Sequence, residues 1–418
     1  MKKRLIAGIL SLVLAISSLF SLFGCGVSAR AADLTAGVKA NEVSTGADLT
    51  GGDATAIADF AVGLFQKSAF SGENTLVSPL SVLCALAMTA NGAGGETLAQ
   101  MEEAFGLSVP ELNGYLYTYL HSLPSGDKYK LGAANSIWLR DDKTLTVEED
   151  FLQANADYYG ASVYKAPFDA NTLEDINTWV NKNTDGMIKS IFDRIPEAAV
   201  MYLINALAFD AEWETIYTID NVRDGSFTTG AGETKSVEMM FAPEYQYLDD
   251  GSDTGFIKYY ADRKYAFAEL LPNDEISLND YIASLTGDKL MDTLQNARNV
   301  EVNTAIPKFE SEYSAEMSNI LMSMGMTDAF DGERADFSGL GKSAGGNLFI
   351  GRVLHKTYIA VDEKGTKAGA ASAVEMLLGS APMKEPKTVY LDRPFVYMLI
   401  DCEMNLPVFI GTVTDVGE

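Results

Sequence analysis

The residues able to do catalytic chemistry in this chain are few and poorly placed for it. Only two histidines, His121 and His355, serve 418 residues. A zinc site needs histidines, cysteines or acids at fixed spacings, and neither histidine has that company, so no metal is expected. Gly341-Lys342-Ser343-Ala344-Gly345 fits the G-x-S-x-G string of a nucleophile elbow. That elbow needs a strand before it, a helix after it, and an acid then a histidine downstream. Here only His355 follows, and both flanks read as loop. Ser125-Gly126-Asp127-Lys128 has the S-x-x-K spacing of penicillin-recognising enzymes, without their Lys-Thr-Gly string; its Pro-Ser-Gly-Asp context is turn chemistry. A Walker phosphate loop is also absent. The chain is not expected to be an enzyme, and no cofactor is expected.

One segment suggests a different behaviour, that of a strand held in waiting. Val361-Asp362-Glu363-Lys364-Gly365-Thr366-Lys367-Ala368-Gly369-Ala370-Ala371-Ser372-Ala373 follows a good strand candidate, His355 to Val361. With a period of two, Thr366, Ala368, Ala370, Ser372, Val374 and Met376 share one face, small residues first. Lys367 and Glu375 fall on the other face. Side chains this small can pass into a sheet interior, yet Gly and Ala favour strands poorly, so nothing local compels a strand beforehand. The same composition also suits a flexible Ala/Gly linker or a mediocre helix.

The elements around it belong to one large domain. Ile57, Phe60, Ala61, Leu64 and Phe65 fall at helical spacing, with Asp53 as the expected cap. Ser78 and Pro79 open a second helix, cap and first position, that is apolar on nearly every side through Met88 and therefore buried. Cys84 lies in that run; with Cys402 it is too little for a disulfide scaffold. Ala133–Leu139 and Met201–Phe209 read as strands, the second apolar enough to be covered on both faces. Short strands crowd 237–271, helices are expected over 278–295 and 314–324, and strands return from Leu348. Helices early and strands late, without alternation, predict an α+β fold.

Composition and the N-terminus speak to location. Acidic residues outnumber basic ones 58 to 31, a formal charge of −27. Such a polyanion has no general attraction for nucleic acid or anionic headgroups. Lys2, Lys3 and Arg4 precede the apolar stretch Leu5 to Phe23, an export signal. Leu22-Phe23-Gly24-Cys25 resembles a bacterial lipobox, with Phe23 bulkier than usual, which makes Cys25 the lipidation site and residues 1–24 the signal. Cleavage near Ala29-Arg30-Ala31 and an uncleaved anchor are the alternatives. Residues 25–52 read as a flexible tether, and 53–418 as the folded domain.

Several blocks stand out along the chain. They are Asn74-Thr75-Leu76-Val77-Ser78-Pro79-Leu80-Ser81, Asn91-Gly92-Ala93-Gly94-Gly95-Glu96-Thr97, Ile176-Asn177-Thr178-Trp179-Val180, and Asn205-Ala206-Leu207-Ala208-Phe209 leading to Trp213. Pro307-Lys308-Phe309, Gly325 to Phe330, Ala335 to Gly339 and Arg393-Pro394-Phe395 continue the series; in this order the blocks together resemble the serpin family, and the segment from Val361 to Ala373 is similar to that family's hinge. The resemblance implies three β-sheets, about nine helices and an exposed reactive-centre loop. It also implies inhibition of serine proteases. The protease acylates itself on the loop, and the cleaved loop inserts into the main sheet and carries the enzyme with it.

Carried over, the hinge comprises Glu363, Gly365, Thr366, Ala368, Gly369, Ala370, Ala371 and Ser372. Ser78, Ser81, Asn205 and His355 match the family's polar group under the sheet opening, and Trp213 its tryptophan near the insertion point. Spacing from Glu363 puts the scissile bond near Gly379-Ser380, whereas counting back from Pro394 lands near Met383. Leu378-Gly379 is the expected bond, within a region of Met376, Leu377, Leu378, Gly379, Ser380, Ala381 and Met383 that suits elastase-, chymotrypsin- or subtilisin-like enzymes. The expected partners are thus a serine protease in covalent acyl complex and, through Cys25, a membrane; no heparin-type basic patch is evident, and a monomer is expected. A non-inhibitory serpin-fold binding protein, or a surface hydrolase using Ser343, are the rival readings.

Overall fold

The computed structural model describes residues 31–417 apart from positions 45, 46, 48, 50, 70, 71, 124, 125, 197, 198 and 367–384. Among these residues nine α-helices surround a seven-stranded sheet, a nine-stranded sheet and a two-stranded ribbon, an α+β architecture.

The strand Met201–Glu212 is the axis of the seven-stranded sheet. Tyr202, Ile204 and Ala206 face a core shared with Ile176, Trp179 and Val180 of the helix Ala170–Asn183. Leu203, Leu207 and Phe209 point the other way, into the main core with the helix Pro79–Ala90. Both faces are covered, which is why the strand reads as one apolar run. The Pro79–Ala90 helix is buried at every position, and Ser78 accepts from the Ser81 amide at its N-terminus.

On one side the axis pairs along its full length with Tyr129–Arg140, antiparallel. On the other it pairs in parallel with Arg352–Val361, but only from Tyr202 to Ala206 against Arg352 to Lys356. Beyond that stretch the two strands no longer pair with each other. At the far end the two-residue strand Gly365–Thr366 stands between them, Thr366 opposite Ala211 on one side and Val361 on the other.

Several boundaries differ from the sequence expectations. The first helix is Gly52–Ser68 with Gly51 at its N-cap; Asp53 sits inside the first turn and makes no cap hydrogen bond. The helix expected over 278–295 is two, Leu278–Ser284 and Gly287–Gln295, because Thr286 caps the second by accepting from the Lys289 amide. The helix expected from Ser314 is only Ser318–Ser323, since 309–316 is an edge strand on Arg352–Val361.

Residues 31–44 also depart from the free tether expected there. Ala32–Asp33 adds a short strand to the edge strand Ser162–Ala166, and the Leu34 amide donates to the Val163 carbonyl. Asn41 bonds Asp157 through both its amide and its side chain, at 2.7 and 3.0 Å. An edge strand offers unpaired backbone groups, and a polar segment close in sequence to the domain satisfies them.

Candidate functional site

The hinge begins with a tight reversal. After the strand Arg352–Val361, the Asp362 amide donates to the Gly365 carbonyl at 3.0 Å, and Asp362 Oδ1 accepts from the Lys364 and Gly365 amides. Asp is suited to this turn because its side chain bonds the backbone two and three residues on. Gly365 then passes so close to the neighbouring strand that an added Cβ would lie 2.0 Å from the Ala211 carbonyl oxygen. Only glycine fits there.

A platform of rings holds the reversal. The Trp213 indole donates to the Asp362 carbonyl, and its amide to the Lys364 carbonyl, both at 2.9 Å. The Tyr217 amide donates to the Glu363 carbonyl at 2.8 Å. Trp213 stacks on Tyr260 with centroids 4.4 Å apart, and the Tyr260 hydroxyl lies 2.5 Å from Thr366 Oγ1. Glu363 pairs with Lys308 at 3.2 Å, and Lys308 also pairs with Glu238. Thr366 is 1 % exposed.

Six residues farther down the main sheet, where the two strands are zipped together, lies a buried polar cluster. Asn205 and His355 are partners in register across the zip. The Ser78 amide donates to His355 Nε2 at 3.1 Å, so that nitrogen carries no proton. His355 Nδ1 therefore holds the proton and donates to Asn205 Oδ1 at 3.0 Å. Ser81 Oγ donates to the same oxygen at 2.6 Å, while Asn205 Nδ2 donates to the Ser81 carbonyl and, at 2.8 Å, to Asn135 Oδ1. Burial pushes the His355 imidazole down to about 3, which keeps it neutral.

The structure thus brings Ser78, Ser81, Asn205 and His355 into one network, and Trp213 into direct contact with the turn at Glu363. Three participants were missed. Asn135 signals itself as an amide within the otherwise small and apolar run from Leu131 to Leu139; Tyr217 and Tyr260 give no signal separable from ordinary core aromatics. Cys25, Ser125, Ala368, Gly369, Ala370, Ala371, Ser372, Met376, Leu377, Leu378, Gly379, Ser380, Ala381 and Met383 lie outside the described residues.

Ser343 is not set up as a nucleophile. It donates to Asp142, accepts from the Gly345 amide, and lies 3.3 Å from Thr144 Oγ1. The Ser343 hydroxyl and the Thr144 groups hold the Asp142 carboxyl down at about 2, so it is a turn anchor rather than a base. His355, the one histidine downstream in sequence, is committed to Ser78 and Asn205 in the buried cluster.

Comparison with known proteins agrees with this geometry. The family profile "Serpin (serine protease inhibitor)" matches residues 55–416. An uncharacterised serpin-like protein of Thermococcus kodakarensis is 31% identical over 367 residues, covering 85% of this chain and 84% of its own length. Among solved structures, the thermophilic serpin tengpin in its native state aligns with a TM-score of 0.88 at 48% identity, over 92% of this chain and 100% of that one. The latent state of tengpin aligns less well, at 0.78 and 45% identity, over 90% of this chain and 100% of that one. With its three sheets, its half-open main sheet and a profile match over most of its length, the chain belongs to the serpin family.

Proposed function

We propose that this protein is a suicide-substrate inhibitor of serine proteases of the elastase, chymotrypsin or subtilisin type. The observation that carries the reading is the half-zipped main sheet: Gly365–Thr366 already occupies the first rung of a slot whose lower end is closed by the Tyr202–Ala206 and Arg352–Lys356 pairing. The hinge sequence beyond Thr366 presents only small side chains on the inward parity as far as Ser372.

The chemistry belongs to the protease. Its serine Oγ attacks the carbonyl carbon of Leu378, the Leu378–Gly379 bond breaks, and the proton leaves the serine through the protease histidine to the Gly379 amine. An ester then joins protease and inhibitor. Residues 366–378, released at one end, enter the slot as a strand and move the acylated protease away from its starting position before water completes hydrolysis. Each new backbone hydrogen bond is worth about 1 kcal/mol net, so ten of them rival the stability of an ordinary domain. A barrier therefore holds the uncleaved form. Asn205 and His355 form part of it, because their hydrogen bond spans the two strands that must separate.

Export follows from Lys2 to Phe23, and lipid attachment at Cys25 is the proposed anchor. Attachment would display the loop at the cell envelope. Globomycin-sensitive maturation is expected; release of unlipidated protein would contradict the anchor.

Incubation with neutrophil elastase, chymotrypsin, subtilisin and trypsin, followed by SDS gels and mass spectrometry, tests the inhibitory reading. A band at the summed mass and a peptide beginning at Gly379 are expected. Clean cleavage by all four without a complex would make the protein a non-inhibitory member.

A further inference from the structure

Directly behind the ring platform lies a cluster of charge that the trapping mechanism does not use. Lys258 is 1 % exposed; its ammonium donates to Glu244 at 2.7 Å and to the Thr215 carbonyl at 3.2 Å. It also sits 4.5 Å from the Tyr217 ring centroid and 5.3 Å from that of Trp213. One lysine thus supports two of the three residues that grip the hinge.

Beside it is a second acid, Glu269, on the strand Tyr265–Pro272. It is 0 % exposed, and neither carboxyl oxygen has a hydrogen-bond partner from another residue. Register fixes its surroundings. Glu269 stands opposite Phe256 on one neighbouring strand and Tyr397 on the other, and Lys258 stands opposite Phe267, one pleat away on the same face. The titratable groups facing it are Glu244 and Lys258 from two strands, Tyr217 and Tyr260 from the platform, and Tyr397 from Phe395–Asp401.

Two carboxyls and one ammonium cannot all be charged here without a net buried anion. Burial, and then the Glu244 carboxylate, push the Glu269 carboxyl well above its usual range, with Lys258 pulling the other way. Ionising it requires water or a rearranged partner, and both need the surrounding rings to move. The rings within reach include the platform itself.

We propose that Glu269 is a proton-operated latch beneath the hinge: protonated, it lets Trp213, Tyr217 and Tyr260 close over the Lys258–Glu244 pair and hold the Asp362–Thr366 turn; ionised, it opens that platform. Opening would free the turn and hasten spontaneous loop insertion as pH rises. The consequence for inhibition rests on the reading above, but the latch itself does not.

The test is hydrogen–deuterium exchange on the free, uncleaved domain, comparing wild type with E269Q at matched pH from 6 to 10. Matched pH cancels intrinsic exchange chemistry. At the Trp213 and Tyr217 amides, which donate to the hinge carbonyls, the wild-type to E269Q rate ratio should be near one at low pH. It should then climb with pH, limited to about tenfold per unit because one proton is released. Peptides from the helix Gly287–Gln295 should show no such trend. E269L, which carries no titratable group, repeats the comparison should E269Q fold poorly. A ratio that stays constant across the range in both variants would overturn the proposal. Absence of an SDS-stable protease complex would overturn the inhibitory reading and leave the exchange result intact.

Discussion

The hydroxyls of Thr366 and Tyr260 meet at 2.5 Å, and this contact seats the hinge residue Thr366 between two strands of the main sheet. The side chain at 366 is therefore already inside the protein before any protease arrives.

A charge at that position should block trapping. Thr366→Arg would force a guanidinium into the buried space that the Thr366 hydroxyl shares with Tyr260, at a cost of several kcal/mol. Insertion should slow more than a hundredfold, and the acyl-enzyme should hydrolyse first. The expected outcome is a protein cleaved by its target with little or no SDS-stable complex; a complex yield equal to wild type would contradict the seating of Thr366.

The turn one residue earlier is as demanding. Gly365→Ala places a methyl against the Ala211 carbonyl, so the hinge must lift from the sheet. A loss of about 1–3 kcal/mol in urea unfolding is expected, comparable to overpacking elsewhere.

The burial of His355 predicts a pH effect of definite sign. His355 is neutral when folded, with its affinity for a proton lowered to about 3, whereas the unfolded imidazole titrates at its ordinary 6.5. Below 6.5 the unfolded chain binds a proton that the native protein refuses. Stability should therefore be full above 6.5 and fall as acid is added, by up to about 1.4 kcal/mol per unit, levelling near the folded value. In His355→Gln this contribution to the acid slope should vanish. Asn205→Ala, which removes the bond across the zip, should speed spontaneous conversion of the intact protein, read by native gel mobility over time.

Ser343→Ala should leave protease inhibition unchanged, while the Asp142 carboxyl, having lost one of its hydrogen-bond donors, should titrate higher than in the wild type. Any hydrolase activity that disappeared with it would revive the nucleophile reading.

Much of this arrangement was legible in the chain, and the failures have physical causes. The buried Pro79–Ala90 helix and the Met201–Glu212 strand announce themselves because continuous apolarity demands cover on every side. His355 could be assigned away from catalysis because, with Ser78, Ser81 and Asn205, it matches the serpin family's polar group under the sheet opening. The Ala32–Asp33 strand was illegible, since its pairing depends on a distant edge and not on its own polar sequence. Likewise Glu316 ends a strand where helical spacing was read from Ser314, tertiary pairing with Arg352–Val361 overriding local pattern. Glu269 interrupts a strand that is buried at every position, and Lys258 lies on its neighbour, so cover on both faces of the sheet, which neither charge announces in sequence, puts them inside.

Insertion of the cleaved loop is the central claim, and heat tests it without any protease partner in place. Cutting the purified domain once within residues 377–381 and removing the protease should raise the thermal midpoint by roughly 20 °C or more, given ten or so added hydrogen bonds. An unchanged or lower midpoint after a verified single cut would mean that the loop does not enter the sheet.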